Sequence, residues 1–198
     1  MGVVDNFKSA SVFGKVSFIL LLLATFFIII AFTCTGWAES NETYGGGYKI
    51  HWGLWRRCTN QEYTSAIGTV CVPLDGWAND WYAFAQAASC FGFFGILVAF
   101  FLVILYLFVN QCKSNGEVAT GAAIICLVTG IIQLIGCIVF GAKWDDIYYD
   151  RQVTVNTRHE FTLSYAFAMA LIASLLEIVA GVLLILECKK GGGTSASG

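Results

Sequence analysis

Four long stretches of the sequence consist almost entirely of apolar residues, and polar segments separate them. These stretches are residues 16–36, 82–109, 118–142 and 161–186. A helix of about 20 consecutive apolar residues is long enough to cross the roughly 30 Å hydrocarbon layer of a bilayer. The pattern therefore predicts one domain, residues 1–198, built from four membrane-spanning helices.

An even number of spans places the two chain ends on the same side of the membrane. The terminal segments 1–15 and 187–198 then share that side with the short loop 110–117. The long loop 37–81 and the loop 143–160 lie on the opposite side. The predicted arrangement is an all-α membrane bundle whose longest connection follows the first helix.

Three features indicate that the termini are cytoplasmic. The side of the termini holds five Lys and Arg residues and the other side holds six, but the five lie in a much shorter length of chain. Because the positive-inside rule depends mainly on short segments, this higher density favours cytoplasmic termini. The long loop carries a sequon that begins at Asn41 and two cysteines, Cys58 and Cys71. Glycosylation and disulfide formation both require the lumenal or extracellular side. Asn41 is therefore a candidate glycosylation site; a chance sequon too close to the membrane for use is the alternative.

Composition excludes several classes of function. Hydrophobic residues make up 58% of the chain and charged residues 12%, which excludes an ordinary soluble protein. The formal net charge of −2 leaves no basic surplus for binding nucleic acid. The sequence contains no HExxH zinc motif, no CxxC pair and no glycine-rich phosphate loop, and its two histidines, His51 and His159, lie in different loops. We therefore predict a protein that is not an enzyme and that uses no metal or cofactor.

The cysteines divide into three groups by position. Four of them fall inside apolar stretches, where small packing residues are expected: Cys34, Cys90, Cys126 and Cys137. Cys112 and Cys188 follow the second and fourth stretches next to lysines, a setting typical of palmitoylation, with free cytosolic thiols as the alternative. Only Cys58 and Cys71 remain for the outer loops, so their bridge is the one disulfide expected.

Alternating large and polar residues predict short strands in the outer loops. Residues 48–58 and 69–72 are rich in aromatic and β-branched types and follow the two-residue period of a strand. Residues 146–156 contain a further candidate strand. Because an isolated hairpin is only marginally stable, we expect these segments to pair in one small sheet, with the disulfide holding its register.

The loop residues resemble the pattern of a known superfamily. The W…GLWxxC…C signature of the claudin, peripheral myelin protein and epithelial membrane protein superfamily is matched at Trp37, Gly53, Leu54, Trp55, Cys58 and Cys71. Four spans with a long first and a short second outer loop are also similar. The resemblance implies a left-handed four-helix transmembrane bundle with a small extracellular antiparallel β-sheet, in which the Leu54–Trp55 edge faces the bundle and the disulfide locks two strands. For Trp37 and Trp55, ordinary interfacial tryptophans are the alternative.

The resemblance also implies a function without catalysis. It indicates a plasma-membrane protein of cell–cell junctions, such as tight junctions, that controls adhesion or paracellular permeability through its sheet. The implied partners are the lipid bilayer and copies of itself or related four-span proteins in the same and opposing membranes. An auxiliary subunit that modulates an ion channel is the alternative. Loop 143–160 lacks the proline that claudins commonly carry there, so the subgroup stays open.

Charges in the outer loops bear on ion selectivity if the protein lines a paracellular pathway. Carboxylates outnumber Lys and Arg residues by five to three in loop 37–81 and by four to three in loop 143–160, which favours cations. Glu62 is the carboxylate between Cys58 and Cys71, and it is the candidate selectivity charge. A solvated loop glutamate is the alternative.

Glu177 is the one charged residue inside an apolar stretch, where a charge is costly and therefore indicates a function. It shares a helical face with small residues at positions 170, 173 and 181, so it is expected to face the bundle interior. Thr129 of the third stretch is expected at a similar depth, as a hydrogen-bond partner. We favour a protonated, structural Glu177, with an ion-handling carboxylate as the alternative.

Overall fold

The computed structural model describes residues 7–40, 49–61, 68–74, 80–109, 112, 115–144 and 161–192. Within these ranges, four helices are long and apolar enough to cross a membrane. They are α1 (Val12–Thr33), α2 (Asp80–Phe108), α3 (Gly116–Lys143) and α4 (Tyr165–Gly192). Each helix packs against the next in the chain, and α4 also packs against α1; the α1–α2 contact is the smallest of these. The predicted four-helix bundle is confirmed.

The ends of α1 differ from the limits of the apolar stretch. The Ser11 side chain accepts a hydrogen bond from the Gly14 amide at 3.0 Å, and this cap starts the helix at Val12. The helix ends at Thr33, which places Cys34 outside it. The helix therefore begins four residues before the predicted stretch 16–36 and ends three residues before its end. Hydrophobicity alone locates neither end, because it does not detect a polar cap.

Short strands form one antiparallel sheet at one end of the bundle. They are β1 (Ala38–Ser40), β2 (Lys49–Trp52), β3 (Arg56–Gln61), β4 (Gly68–Pro73) and β5 (Phe161–Leu163). Their spatial order is β4-β3-β2-β1-β5, and each strand is antiparallel to its neighbours. The predicted small antiparallel sheet is confirmed.

Two details of the sheet differ from the expected strands. Residues 48–58 do not form a single strand, because residues 53–55 turn the chain between β2 and β3. Among the described residues, the strand that follows the second outer loop is β5, which pairs with β1 and lies just before α4. Hydrophobicity merges β5 with α4 because only one residue, Ser164, separates them. The candidate strand within 146–156 lies outside the described residues.

Two buried clusters form the core. One lies among the helices and includes Leu21 and Ile96. The other lies beneath the sheet and includes Leu54 and Phe140. The second cluster contains residues of both the strands and the helices, so the bundle core continues into the sheet.

Candidate functional site: the sheet and its seat on the bundle

The sheet rests on the helix bundle through three short segments. Residues 34–37 follow α1, residues 53–55 connect β2 to β3, and residues 82–86 belong to the first turns of α2. Together these segments form the seat of the sheet. Most of the signature residues lie in it, so the seat is where the sequence motif acquires a structural role.

Trp37 lies at the centre of the seat. Its side chain is 1% exposed, and its indole N–H donates to the Ala31 carbonyl at 2.7 Å. Its ring packs edge-on against Phe140, with 4.8 Å between centroids. The Trp37 amide donates to the Trp52 carbonyl at 2.8 Å, and its carbonyl accepts from the Ser164 amide at 3.0 Å. Trp37 therefore joins α1, β2 and the start of α4 in the protein interior, and it is not an interfacial tryptophan that faces lipid.

Gly53 brings the turn against the backbone that follows α1. A Cβ atom at this position would lie 2.6 Å from the Cys34 carbonyl oxygen and 2.8 Å from Thr35 Cα. These are main-chain atoms, which cannot move aside as the end of a flexible side chain can, so only glycine fits without a shift. The Gly53 amide donates to the Arg56 carbonyl at 2.9 Å, which closes the turn, and the Leu54 side chain is fully buried.

Two polar side chains of α2 hold the turn from the helix side. The Tyr82 hydroxyl donates to the Gly53 carbonyl, and the Gln86 side-chain amide donates to the Leu54 carbonyl at 2.6 Å. Buried carbonyl groups need such partners, because water does not reach them. Tyr82 was not among the residues predicted to make such a contact. The signal for it is the i, i+4 spacing of Tyr82 and Gln86, which places two hydrogen-bonding groups on one face at the start of an apolar helix.

Trp55 and the disulfide lie toward the β4 edge of the sheet. Trp55 is 37% exposed, and its ring centroid is 5.1 Å from that of Phe32 on α1. Of the two signature tryptophans, Trp55 is therefore the one with a partly exposed position. Cys58 and Cys71 face each other across β3 and β4 and form the expected disulfide, with a sequence separation of 13. The bridge fixes the register of this strand pair.

The face of the sheet that points away from the seat carries polar side chains. Alternate residues of a strand point to opposite faces, so Glu39 and His51 lie on the face opposite to the buried strand residues. The Glu39 carboxylate is 3.4 Å from His51 Nδ1 and accepts a hydrogen bond from the Ser164 hydroxyl at 3.2 Å. Lys49, on the same face of β2, is exposed. This outward face is available to other molecules.

Comparison with known proteins agrees with this arrangement. The chain matches the PMP-22/EMP/MP20/Claudin family over residues 13–184, a range that includes the whole sheet. The chain belongs to this family. Comparison with individually curated proteins gives no match. Family membership confirms the resemblance inferred from the signature, and with it a four-span membrane protein. Two candidate residues, Asn41 for glycosylation and Glu62 for ion selectivity, lie outside the described residues.

Inside the bundle, this family member carries a buried carboxyl group on α4. Glu177 is 1% exposed, and the Thr129 hydroxyl oxygen of α3 lies 2.6 Å from its Oε1, within hydrogen-bond distance. The same hydroxyl oxygen is 2.7 Å from the Ile125 carbonyl oxygen. A hydroxyl has one proton, so both contacts are satisfied together when a neutral carboxyl donates its own proton to Thr129. This geometry favours the structural interpretation, in which the pair links α3 to α4.

Small residues allow the helices to approach closely around this pair. A Cβ atom on Gly95 of α2 would overlap the Thr129 side chain. A Cβ atom on Gly181 of α4 would lie 2.9 Å from Cβ of Cys126, which is fully buried on α3. Both glycines are therefore required by the close approach of neighbouring helices.

Cys112 and Cys188 both lie at the end of the bundle opposite the sheet. Cys112 follows α2, and its amide donates to the Val109 carbonyl at 3.0 Å. Cys188 lies in the last turns of α4, where its sulfur accepts a hydrogen bond from the Thr120 hydroxyl at 3.4 Å. Both thiols are free and half-buried. Palmitoylation at these positions stays a prediction.

Proposed function

We propose that this protein is a structural, non-catalytic component of cell–cell contacts at the plasma membrane. In this proposal the sheet is extracellular and both chain termini are cytoplasmic. Copies of the protein, or related four-span proteins, contact one another in the same and in opposing membranes. These contacts control adhesion or paracellular permeability. Membership of the PMP-22/EMP/MP20/Claudin family supports the proposal.

The observation that carries the proposal is the fixed position of the sheet on the bundle. Trp37 and Leu54 are buried in the seat, and hydrogen bonds from α2 hold the turn that contains Gly53. A connection that only joined two helices would not need such an anchor. A rigidly held platform keeps its outward face at a constant angle to the membrane, which a defined contact between two cells requires.

The charges of the outward face support a contact between copies of the same chain. Lys49 is exposed, and the Glu39 carboxylate lies on the neighbouring strand of the same face. In a two-fold contact between identical surfaces, charged groups can pair only if that one surface carries both signs. The outward face meets this requirement.

Aggregation of suspended cells tests the proposal. Cells that lack junction proteins are transfected with the tagged protein, and the size of the cell clusters is compared with that of untransfected cells. We expect larger clusters, and we expect Lys49→Glu to reduce them, because it places like charges on the outward face. Lys189→Glu, with the same charge change on an exposed residue at the opposite end of the bundle, is the matched control. Clusters no larger than those of untransfected cells, with protein present at the surface, would contradict a role in adhesion.

Sidedness and the channel hypothesis have separate tests. Antibodies should detect a tag on either terminus only after the cells are permeabilised. Detection in intact cells would show that the termini are extracellular.

Purification from native membranes tests the alternative function, an auxiliary subunit of an ion channel. A channel recovered in fixed ratio with the protein would mean that the outward face binds a channel instead of another cell's sheet.

A further inference from the structure

An open groove lies at the sheet end of α1, beside the seat. Its volume is about 450 Å³, which is in the range of small-molecule sites. Phe32 and Thr33 line it from α1, Trp55 and Arg56 from the turn and β3, and Val72 from β4. The groove thus separates the β4 edge of the sheet from the last turn of α1.

The groove continues the face of α1 that is exposed along the bundle. In the membrane-spanning part of the helices, α1 is the least buried, with 28% of residues buried against 39% for the others. Exposed apolar side chains follow one stripe of α1: Val16, Ile19, Leu22, Leu23, Phe26 and Ile29. Thr33, four residues after Ile29, lies on the same face and lines the groove. A lipid acyl chain that lies along this stripe therefore reaches the groove without leaving the exposed face of α1.

The groove combines an aromatic wall with one positive charge. The rings of Phe32 and Trp55 lie 5.1 Å apart and form the wall. The Arg56 guanidinium donates to the Thr33 carbonyl at 3.4 Å, and four of its five N–H donors remain for other acceptors. Within the described part of the chain, no carboxylate forms an ion pair with Arg56. A cation next to an apolar wall is the complement of a molecule with an anionic head and a hydrocarbon tail.

We propose that the groove binds one phospholipid of the leaflet on the sheet side of the membrane. The phosphate lies at Arg56, whose planar guanidinium suits two phosphate oxygens, and an acyl chain lies along the exposed stripe of α1. The bound lipid fills the space between α1 and the β4 edge and so supports the sheet from below. The site does not depend on the proposed role in cell contacts.

Native mass spectrometry of the full-length protein tests the role of the phosphate. The protein is released from micelles that contain either dioleoylphosphatidylcholine or dioleoylglycerol, which has the same chains and no phosphate. We expect one retained phosphatidylcholine and at least about tenfold weaker retention of the diacylglycerol, since charge-assisted hydrogen bonds are lost. Equal retention of the two lipids would overturn the proposal. Equal binding of soluble glycerophosphocholine would overturn it as well, because the acyl chain would then contribute nothing.

Matched substitutions locate the site. Arg56→Gln should weaken retention about tenfold, while Arg57→Gln should not, because Arg57 lies over the Trp52 ring at 5.2 Å and does not line the groove. Val72→Trp should fill the groove and exclude the lipid with Arg56 unchanged. Val70→Trp is its control, since Val70 is also exposed on β4 but does not line the groove.

The valine pair keeps the proposal testable if Arg56→Gln fails to fold, because both valines are on the surface. Unchanged lipid retention in Val72→Trp would overturn the proposal. A shift of Val72→Trp from dimer to monomer, with lipid retention unchanged, would overturn it in favour of a second copy of the chain as the occupant.

Discussion

Replacement of Gly53 by alanine should loosen the sheet from the bundle. Gly53 lies where the turn between β2 and β3 meets the main chain that follows α1, and two side chains of α2 bind the same turn. The substitution adds one methyl group and changes no charge, so its effect reports only on the fit of the seat.

Two contributions set the expected loss in the free energy of unfolding. The added Cβ would lie 2.6 Å from the Cys34 carbonyl oxygen and 2.8 Å from Thr35 Cα. Favourable contacts between carbon atoms lie near 3.5 Å, so the turn must move by roughly 1 Å. Overpacking of this kind costs about 1–3 kcal/mol. The same movement stretches the hydrogen bonds from Tyr82 and Gln86, each worth about 0.5–1.5 kcal/mol, so the free energy of unfolding should fall by about 2–6 kcal/mol.

Thermal unfolding in lipid nanodiscs, followed by tryptophan fluorescence, measures this loss. Two of the six tryptophans, Trp37 and Trp52, are buried at the sheet, so part of the signal comes from the seat. For a chain of this size, 1 kcal/mol corresponds to about 2–4 °C, and Tm should fall by at least about 4 °C. Gly121→Ala is the matched control, because a Cβ there meets nothing within 4 Å. A Gly53→Ala variant with the same Tm as Gly121→Ala would refute the reasoning.

A second substitution tests the cause of the loss. Tyr82→Phe removes the hydroxyl that donates to the Gly53 carbonyl and should cost about 0.5–1.5 kcal/mol in the wild-type background. In the Gly53→Ala background it should cost little, because the shifted turn has already lost that bond. Full additivity of the two changes would show that the turn has not moved.

Three further changes test other parts of the structure. Cys58→Ser should lower stability by about 3 kcal/mol, because the disulfide closes a loop with a sequence separation of 13, and should retain the protein in the secretory pathway; normal surface biotinylation would contradict this. Glu177→Gln should leave Tm and surface amount close to wild type, since an amide can both donate to and accept from Thr129; loss of ion permeability at normal surface expression would instead favour an ion-handling carboxylate. Gly95→Ala should destabilise the protein by about 1–3 kcal/mol, because its Cβ overlaps Thr129, and an unfolding curve identical to that of Gly121→Ala would show that α2 and α3 are not in close contact there.

The parts of the fold that follow from the sequence are those set by one strong physical requirement. A bilayer demands long uncharged stretches, so hydrophobicity locates the four helices. The disulfide follows because the outer loops contain two cysteines, Cys58 and Cys71. The contact between Glu177 and Thr129 follows from helix geometry, because antiparallel neighbours bring residues of equal depth together.

The remaining features depend on tertiary contacts that no local pattern reports. Strand β5 is only three residues long and one residue away from α4, so hydrophobicity does not distinguish it from the helix until its pairing with β1 is known. The role of Tyr82 cannot be predicted without the position of the Gly53 carbonyl, which is 29 residues away in the sequence but adjacent in space. The groove at Arg56 is lined by residues of α1, of the turn before β3 and of β4, so it exists only once these segments are brought together.

The distribution of a tagged copy in a mixed layer of junction-free cells tests the central claim most directly. Expressing and non-expressing cells are grown together, and the protein at borders between two expressing cells is compared with that at borders between unlike cells. Contact between sheets on opposing cells predicts enrichment at the mutual borders alone. Uniform staining of the whole cell surface, with the protein folded and delivered, would contradict it.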